Sequence, residues 1–505
     1  MQTINYITLI LLLGLVSCSG TKQTSGQPTD YVNPFICTLG DHGHWLPAAL
    51  TPFGMVELCP DTYPGSLTAH GDLAHSGYDY SDTHVRGFSH FHKGSSGGTN
   101  IHDRAGTLSV LPFSENKADT FYINPVVKID KNSEKAEAGY YAVTLTDENI
   151  QAELTATQRS GFHRYTFPEG KTVKIFLNAG NRRSGIICSQ TGKNSLEGIV
   201  GNFYFVLEAD APITDFKIWD GEKLGNGRQS DPAPGSGVVC EFGGESNRLH
   251  LKVGASLTGM EAARQNLRAE CAGKDFDLIR KNALQEWNQV LGNILVEGDD
   301  TDEKTIFYTA LYHSCFLPVN YTDMTGAYPG LDGKVHRAEG YRHYGGYAFW
   351  DSFRTKYPLY SLFLPSVFKD ISYSLRDMYE QADNWGPFPE NDHPPHGVTF
   401  KAEGKDGYYL PFSCRHEHMM MVMTDAYIKG LFGLDPQSVY PYMRKEVMLQ
   451  MPERYDTIGY IPARPDQTGE YCWDNWSLAQ MAQAVGNRQA MSSRPMPALL
   501  ACCWA

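Results

Sequence analysis

Three things are scarce in this 505-residue chain: positive charge, long apolar runs and paired cysteines. Lys and Arg number 43 against 57 Asp and Glu, giving a net charge of −14. A nucleic-acid binder needs a basic stripe against phosphate, so that class is excluded. The one long uncharged apolar run is residues 7–16, too short to span a bilayer comfortably, and no later segment is suited to crossing one. The 11 cysteines are scattered, with no CxxC pair and no zinc-ligand spacing. A secreted chain of this size needs no disulfide framework, so most cysteines are expected as small buried apolar residues, with one or two bridges. Repeats in the solenoid range are missing too, as are charge runs long enough to keep the chain disordered.

What remains is a globular composition, 41% hydrophobic and 20% charged, long enough for about three domains. Aromatics are plentiful, with 29 Tyr, 24 Phe and 8 Trp, and 49 Gly with 28 Pro imply many turns. An acidic, aromatic-rich protein suits neutral ligands such as sugars, which it grips with ring faces and carboxylates.

Residues 1–18 read as a secretory signal. The ending Leu15-Val16-Ser17-Cys18 looks like a lipobox that leaves a lipidated Cys18, although no Lys or Arg precedes the apolar run. An ordinary cleaved signal is the alternative. Residues 19–30 are a polar tether. This implies a lipid-anchored protein of the bacterial cell envelope, touching the membrane only through its lipid. Residues 31–256 carry short alternating or apolar segments bounded by Gly, Asn, Asp and Pro, the pattern of an antiparallel β-sandwich. From 257 the pattern turns helical: 257–287, 305–316, 350–364 (with Pro358 expected to kink or break it), 366–381, 419–430 and 474–486. In the last, Leu478, Met481, Ala482 and Val485 form an i, i+3, i+4, i+7 stripe, with Asp474 as the expected N-cap and Gly486 as the stop. No strand alternates with these helices, so this half is expected to be all-α.

Eight of the 17 histidines fall between 42 and 102: His42, His44, His70, His75, His84, His90, His92 and His102. Two HxH pairs suit a zinc site, but spacing supplies no third or fourth ligand; packing in polar loops, or a surface contacting sugar hydroxyls, are the other readings. Trp350-Asp351 at a helix entrance sets an apolar plate beside a carboxylate, which suits the C–H face and hydroxyls of a pyranose. Arg354 is expected one turn on, holding Asp351 in place. Glu417 and His418 can play a similar polar role or be a solvated helix start. Glu470 and Asp474, one turn apart, resemble a catalytic pair, though such spacing more often marks a solvated face or a cap.

The segments YVNPFICTLGDHGHWLPAALTPFGMVELCPDT (31–62) and SGYDYSDTHVRGFSHFH (76–92), with YAFWDSFRT (347–355), RHEHMMMVMTDAYIKG (415–430) and EYCWDNWSLAQMA (470–482), resemble in content and order the motifs of the calcium-dependent α-mannosidases of glycoside hydrolase family 92. Cys37, Trp45 and Asp79 depart from the usual Gly, Thr and His. The resemblance implies a β-sandwich followed by an (α/α)6 toroid, here incomplete, joined by a helical linker (257–300), with the active site between the two domains. It implies Trp350, Asp351, Arg354, His44, Glu417 and His418 as substrate-binding residues, a Ca²⁺ cofactor, and a mannose-containing glycan of N-glycan or yeast mannan type as partner. Family chemistry is inverting, with an acid and a base about 6.5–9.5 Å apart. The motifs that carry them (EGN…YxW, NEP…HH, GN[DE]D.GQMS) are missing here. Family-like sequence is expected to end near residue 487, with 488–505 a non-native tail of a truncated or frameshifted, inactive product. The alternatives are a non-catalytic glycan-binding lipoprotein and a zinc protein built on the histidine-rich loops.

Overall fold

The computed structural model describes residues 26–39, 45–63, 77–92, 106–180, 184–347, 349–383, 418–431, 433, 435–450 and 458–486. Residues 59–256 form a 15-stranded antiparallel system. It folds into two sheets because one long strand, Val127–Glu137, serves both. Its first residues pair with His84–Phe91 and the rest with Tyr140–Leu145, and the register slips between Asp130 and Lys135. Such an irregularity bends a strand. The inner faces share one core, with Phe88, Leu111 and Val238 from one sheet meeting Leu145, Leu154 and Leu251 from the other. Period-two alternation makes this possible: in Arg248–Ser256, Leu249, Leu251 and Val253 are buried while Arg248, His250 and Lys252 face outward. The hairpin after Val127–Glu137 turns through Gly139 at φ +82°, where a Cβ would stand 2.7 Å from Ala283 Cβ.

One short helix, α1 (Asp119–Ile123), lies within the β region. The helix-prone stretch 257–287 divides into α2 (Met260–Cys271) and α3 (Phe276–Leu291). Gly273 at φ +69° ends the first, and the Asp275 carboxylate accepts the Leu278 N–H to start the second. Asp300 likewise caps α4 (Thr301–Ser314). Two small ladders follow, Val319–Asn320 with Tyr344–Gly345 and Ala327–Pro329 with Val335–Arg337, so this half is not purely helical. The expected helix 350–364 divides into α5 (Phe349–Ser352) and α6 (Lys356–Phe363). The break falls before Pro358, which sits in the first turn of α6, where its missing N–H costs little. Then come α7 (Pro365–Asp383), α8 (Met419–Ile428), α9 (Tyr440–Gln450) and α10 (Pro465–Ala484). The helix α10 begins at Pro465, so Asp474 is not its N-cap but lies mid-helix, buried. In its apolar stripe Met481 and Ala482 are buried and Leu478 and Val485 half-buried. Met419 to Met423 of α8 are all buried, as in a helix enclosed by others; α7 and α10 pack against it.

A segment from the β half enters the helical core. Leu46, Ala48, Leu50 and Phe53 share one apolar cluster with Trp287, Tyr312, Phe316 and Tyr360. Trp287 Nε1 donates to the Leu50 carbonyl at 2.7 Å, and the Phe53 ring meets Tyr344 and Tyr360 edge-on. Trp45 stacks on His313 at 4.4 Å. The expected disulfides do not form among the described residues: Cys37, Cys59, Cys188, Cys240, Cys271, Cys315 and Cys472 are free thiols.

Candidate functional site

Three helix segments far apart in sequence bring polar side chains together. Trp350 on α5 is 42% exposed, and its Nε1–H donates to Glu470 Oε1 at 3.3 Å. The Arg354 guanidinium reaches the same oxygen at 3.4 Å and lies 4.3 Å over the Phe353 ring. That ring in turn packs 4.6 Å from His418, at the start of α8. His418, fully buried, sits between two carboxylates of α10, with Nε2 2.6 Å from Glu470 Oε2 and Nδ1 3.1 Å from Asp474 Oδ1.

Glu470 and Asp474 face one way because residues four apart on a helix share a face. That face is not solvated: it grips an imidazole. Satisfying both contacts takes one proton more than a neutral imidazole and two carboxylates hold. Burial alone would raise the Glu470 carboxyl. The His418 charge, the Trp350 and His418 hydrogen bonds and Arg354 outweigh it and hold that carboxyl below its ordinary range.

Asp351, next to Trp350 on α5, is exposed yet has its carboxyl raised by burial, against the opposing charge of Lys356. Arg354 does not hold it. Residues 353–355 are not helical, so the i, i+3 relation is lost and Arg354 turns to Glu470 instead. Of the other expected site residues, His44 and Glu417 lie outside the described residues, as does Cys18. The sequence reading weighed Glu470 and Asp474 only as a pair; their meeting with His418 had no local signal.

The histidine-rich block behaves differently. His90 Nδ1 contacts the Leu108 carbonyl at 2.7 Å and its Nε2 lies 3.0 Å from His163 Nε2. His92 Nδ1 contacts the Glu57 carbonyl, and its Nε2 contacts Ser89 Oγ. All four nitrogens are engaged within the fold. His84 contacts Thr83, and His42, His70, His75 and His102 lie outside the described residues. Among the described residues no three His, Cys, Asp or Glu side chains are arranged to hold a metal ion.

Residues 31–256 match the model of the glycosyl hydrolase family 92 N-terminal domain, and residues 262–494 that of its catalytic domain. The chain belongs to glycosyl hydrolase family 92. A family 92 α-mannosidase from Bacteroides thetaiotaomicron shares its fold with a TM-score of 0.77 at 24% identity, over 93% of this chain and 64% of that one. An inverting mannosidase of the family from the same organism superposes with a TM-score of 0.76 at 23% identity, over 94% of this chain and 65% of that one. An uncharacterized secreted glycosidase of Arthroderma benhamiae is 22% identical over 94% of this chain and 62% of its own length. This family 92 chain therefore spans less than two thirds of the relatives it matches.

Proposed function

We propose that this family 92 chain binds the terminal mannosyl unit of an α-mannoside at Trp350, Asp351 and Glu470, for hydrolysis of the inverting type. The convergence of Trp350 Nε1–H, Arg354 and His418 on the Glu470 carboxylate carries this reading. The exposed indole offers its face to pyranose C–H groups. Asp351 and Glu470 accept sugar hydroxyls, and Arg354 and His418 keep Glu470 charged and aimed. A solved family 92 α-mannosidase is known in complex with mannoimidazole, which supports a mannose-type ligand for the fold.

Inversion needs an acid to protonate the leaving oxygen and a base to activate water. We assign neither role to a residue of the Trp350–Glu470 cluster, whose part in this reading is to hold the mannosyl unit. The described residues do not assemble a calcium shell, and no step here runs through that ion. Lipid attachment at Cys18 and an envelope location complete the reading. A relative is described as secreted, and no helix among the described residues is long and apolar enough to cross a membrane.

Calorimetric titration of the full chain with mannoimidazole tests the site, with release of mannose from an aryl α-mannoside as the second readout. Binding that Trp350→Ala weakens is the expected result. Failure to bind, or binding and mannose release that Trp350→Ala leaves unchanged, removes the site assignment.

A further inference from the structure

Arg354 reaches Glu470 on weak terms. Its guanidinium stands 3.4 Å from Glu470 Oε1 and 3.5 Å from the Trp350 carbonyl, and about half of its side chain is in solvent. Both distances exceed the usual range of about 2.7–3.2 Å. Neither contact is the two-pronged pairing with a carboxylate that fixes a guanidinium firmly. A long arginine side chain held only in this way loses its geometry to rotamer entropy and solvent screening.

The remaining contact is with a ring. Arg354 Cζ lies 4.3 Å from the Phe353 centroid. Phe353 is itself anchored: it is buried in the apolar cluster that holds Tyr357 and Met419, and its N–H donates to the Phe349 carbonyl at 2.9 Å. The same ring packs 4.6 Å from His418, tilted 54° to the imidazole. His418 Nε2 in turn lies 2.6 Å from Glu470 Oε2. The four side chains therefore close a circuit. Phe353 touches Arg354 and His418, and each of these meets a different oxygen of Glu470. The face of an aromatic ring is negative and attracts a guanidinium, and a buried ring does so more strongly than an exposed one.

We infer that Phe353 is a positioning residue of the mannosyl site: its ring face holds the Arg354 guanidinium beside His418, so that both meet Glu470 and keep its carboxylate aimed at the sugar. The inference rests on the reading of Glu470 as a ligand of the mannosyl unit. An aliphatic side chain of similar size would fill the space but leave the guanidinium free to turn to solvent. Glu470 would then lose part of the charge that holds its carboxyl below the ordinary range. The charged groups facing it are Arg354 from the α5–α6 junction and His418 from α8, with Asp474 of its own helix behind the imidazole.

The test compares the full chain with Phe353→Leu and with difluorophenylalanine at position 353, each also combined with Arg354→Ala. Fluorination keeps the shape of the ring and weakens its negative face, so a packing role alone leaves it silent. Calorimetric titration with mannoimidazole is one readout. The other needs no ligand: the acid titration of Glu470, followed by NMR of its carboxyl carbon. Phe353→Leu is expected to lower mannoimidazole affinity about three- to tenfold and fluorination about two- to threefold. Both move the Glu470 midpoint upward, and both effects shrink in the Arg354→Ala background. Where the parent binds mannoimidazole, a fluorinated chain of unchanged affinity overturns the inference, as does a fluorination effect undiminished by Arg354→Ala. Where the parent does not bind, the mannosyl reading falls by itself. A midpoint that fluorination moves then upholds the positioning of Glu470 by Phe353, and one that it leaves unchanged overturns it.

Discussion

His163 in the β half and His418 in the helical half are both fully buried, yet their surroundings are opposite. His163 meets the Tyr165 hydroxyl at 2.7 Å and the ring of His90 at 3.0 Å. His418 meets two carboxylates, and one of them, Glu470, keeps about a fifth of its side chain in solvent beside an exposed indole (18% and 42%). An imidazole enclosed by uncharged partners is a packing element. An imidazole between carboxylates, one of which reaches water, holds a charged acceptor ready for a ligand. The density of histidines in residues 42–102 is thus a poorer guide to function than the company a single histidine keeps.

Acid separates the two histidine surroundings most strongly. Burial lowers the His90 ring to about 4 and drives His163 well below its ordinary value. The unfolded chain takes up protons at these two rings below about pH 6.5 while the folded chain does not, so stability falls as pH drops from there toward 4. The loss is about 1.4 kcal/mol per pH unit for each histidine. Glu470 is lowered as well, but from the carboxylate range, so its window lies further into acid. Its contribution is complete above its ordinary carboxylate range and is lost only as pH falls through its lowered folded value. His313 and His343 of the helical half are lowered by burial as well, so the contrast is read by replacement. Urea unfolding between pH 6.5 and 4.5, followed by Tyr and Trp fluorescence, should show stability falling with pH and His163→Phe making that fall shallower. A slope that His163→Phe leaves unchanged would erase the distinction.

Replacement of the two histidines gives the next largest contrast. His418→Leu takes the imidazole from between Glu470 and Asp474, leaves Glu470 with the half-exposed Arg354 as its charge partner, and is expected to cost about 3–5 kcal/mol. His163→Phe removes neutral hydrogen bonds and fills the same space, at about 1–2 kcal/mol. Equal losses in chemical denaturation would mean that the carboxylates do not depend on His418.

The β half was legible because alternation and turn residues are local signals. Arg248–Ser256 and the strand Val173–Asn178 sit where the alternation 248–253 and the apolar run 171–177 place them. The helices were legible in existence and less so in extent. Asp474 looked like a cap because it precedes an apolar stripe, but Pro465 starts the helix nine residues earlier and the intervening polar face is buried against His418. The site divides in the same way. Trp350, Arg354 and His418 were singled out by residue type, and the structure gathers them. Their shared partner Glu470 joins segments 52 and 116 residues apart, a relation no local spacing encodes. The supposed Arg354–Asp351 pair failed because it assumed a helix that stops at Ser352.

Within the helical region, two changes separate charge from surface. Glu470→Gln keeps an acceptor for Trp350 and Arg354 but removes the anion, and should lower mannoimidazole affinity about tenfold. Trp350→Ala should lower it about three- to tenfold through lost stacking, while stability moves by no more than about 0.5 kcal/mol, as for other exposed positions. A Trp350→Ala chain that binds as the parent does would place the sugar elsewhere.

The smallest effect asks whether charge in the helical half is confined to the His418 cluster. Lys356 packs near Asp351, Cys315 and the Tyr360 ring. Burial lowers its ammonium to about 8, against the opposing pull of Cys315 and Asp351. Below that value both folded and unfolded chains carry the proton. Between about pH 8 and the ordinary lysine value near 10.4 only the unfolded chain does, so stability rises with pH across that window. Lys356→Met removes the rise and spares the folded chain a half-buried charge, a gain on the order of 1 kcal/mol at pH 7 after allowance for solvent screening. It also takes from Asp351 the cation that restrains its carboxyl, so ligand affinity in Lys356→Met should fall off at a higher pH than in the parent as the solution is acidified. Parallel melting curves at pH 7 and 9.5 measure the first effect and mannoimidazole titrations from pH 4 to 7 the second. If both profiles match the parent, Lys356 is solvated and plays no part in tuning Asp351.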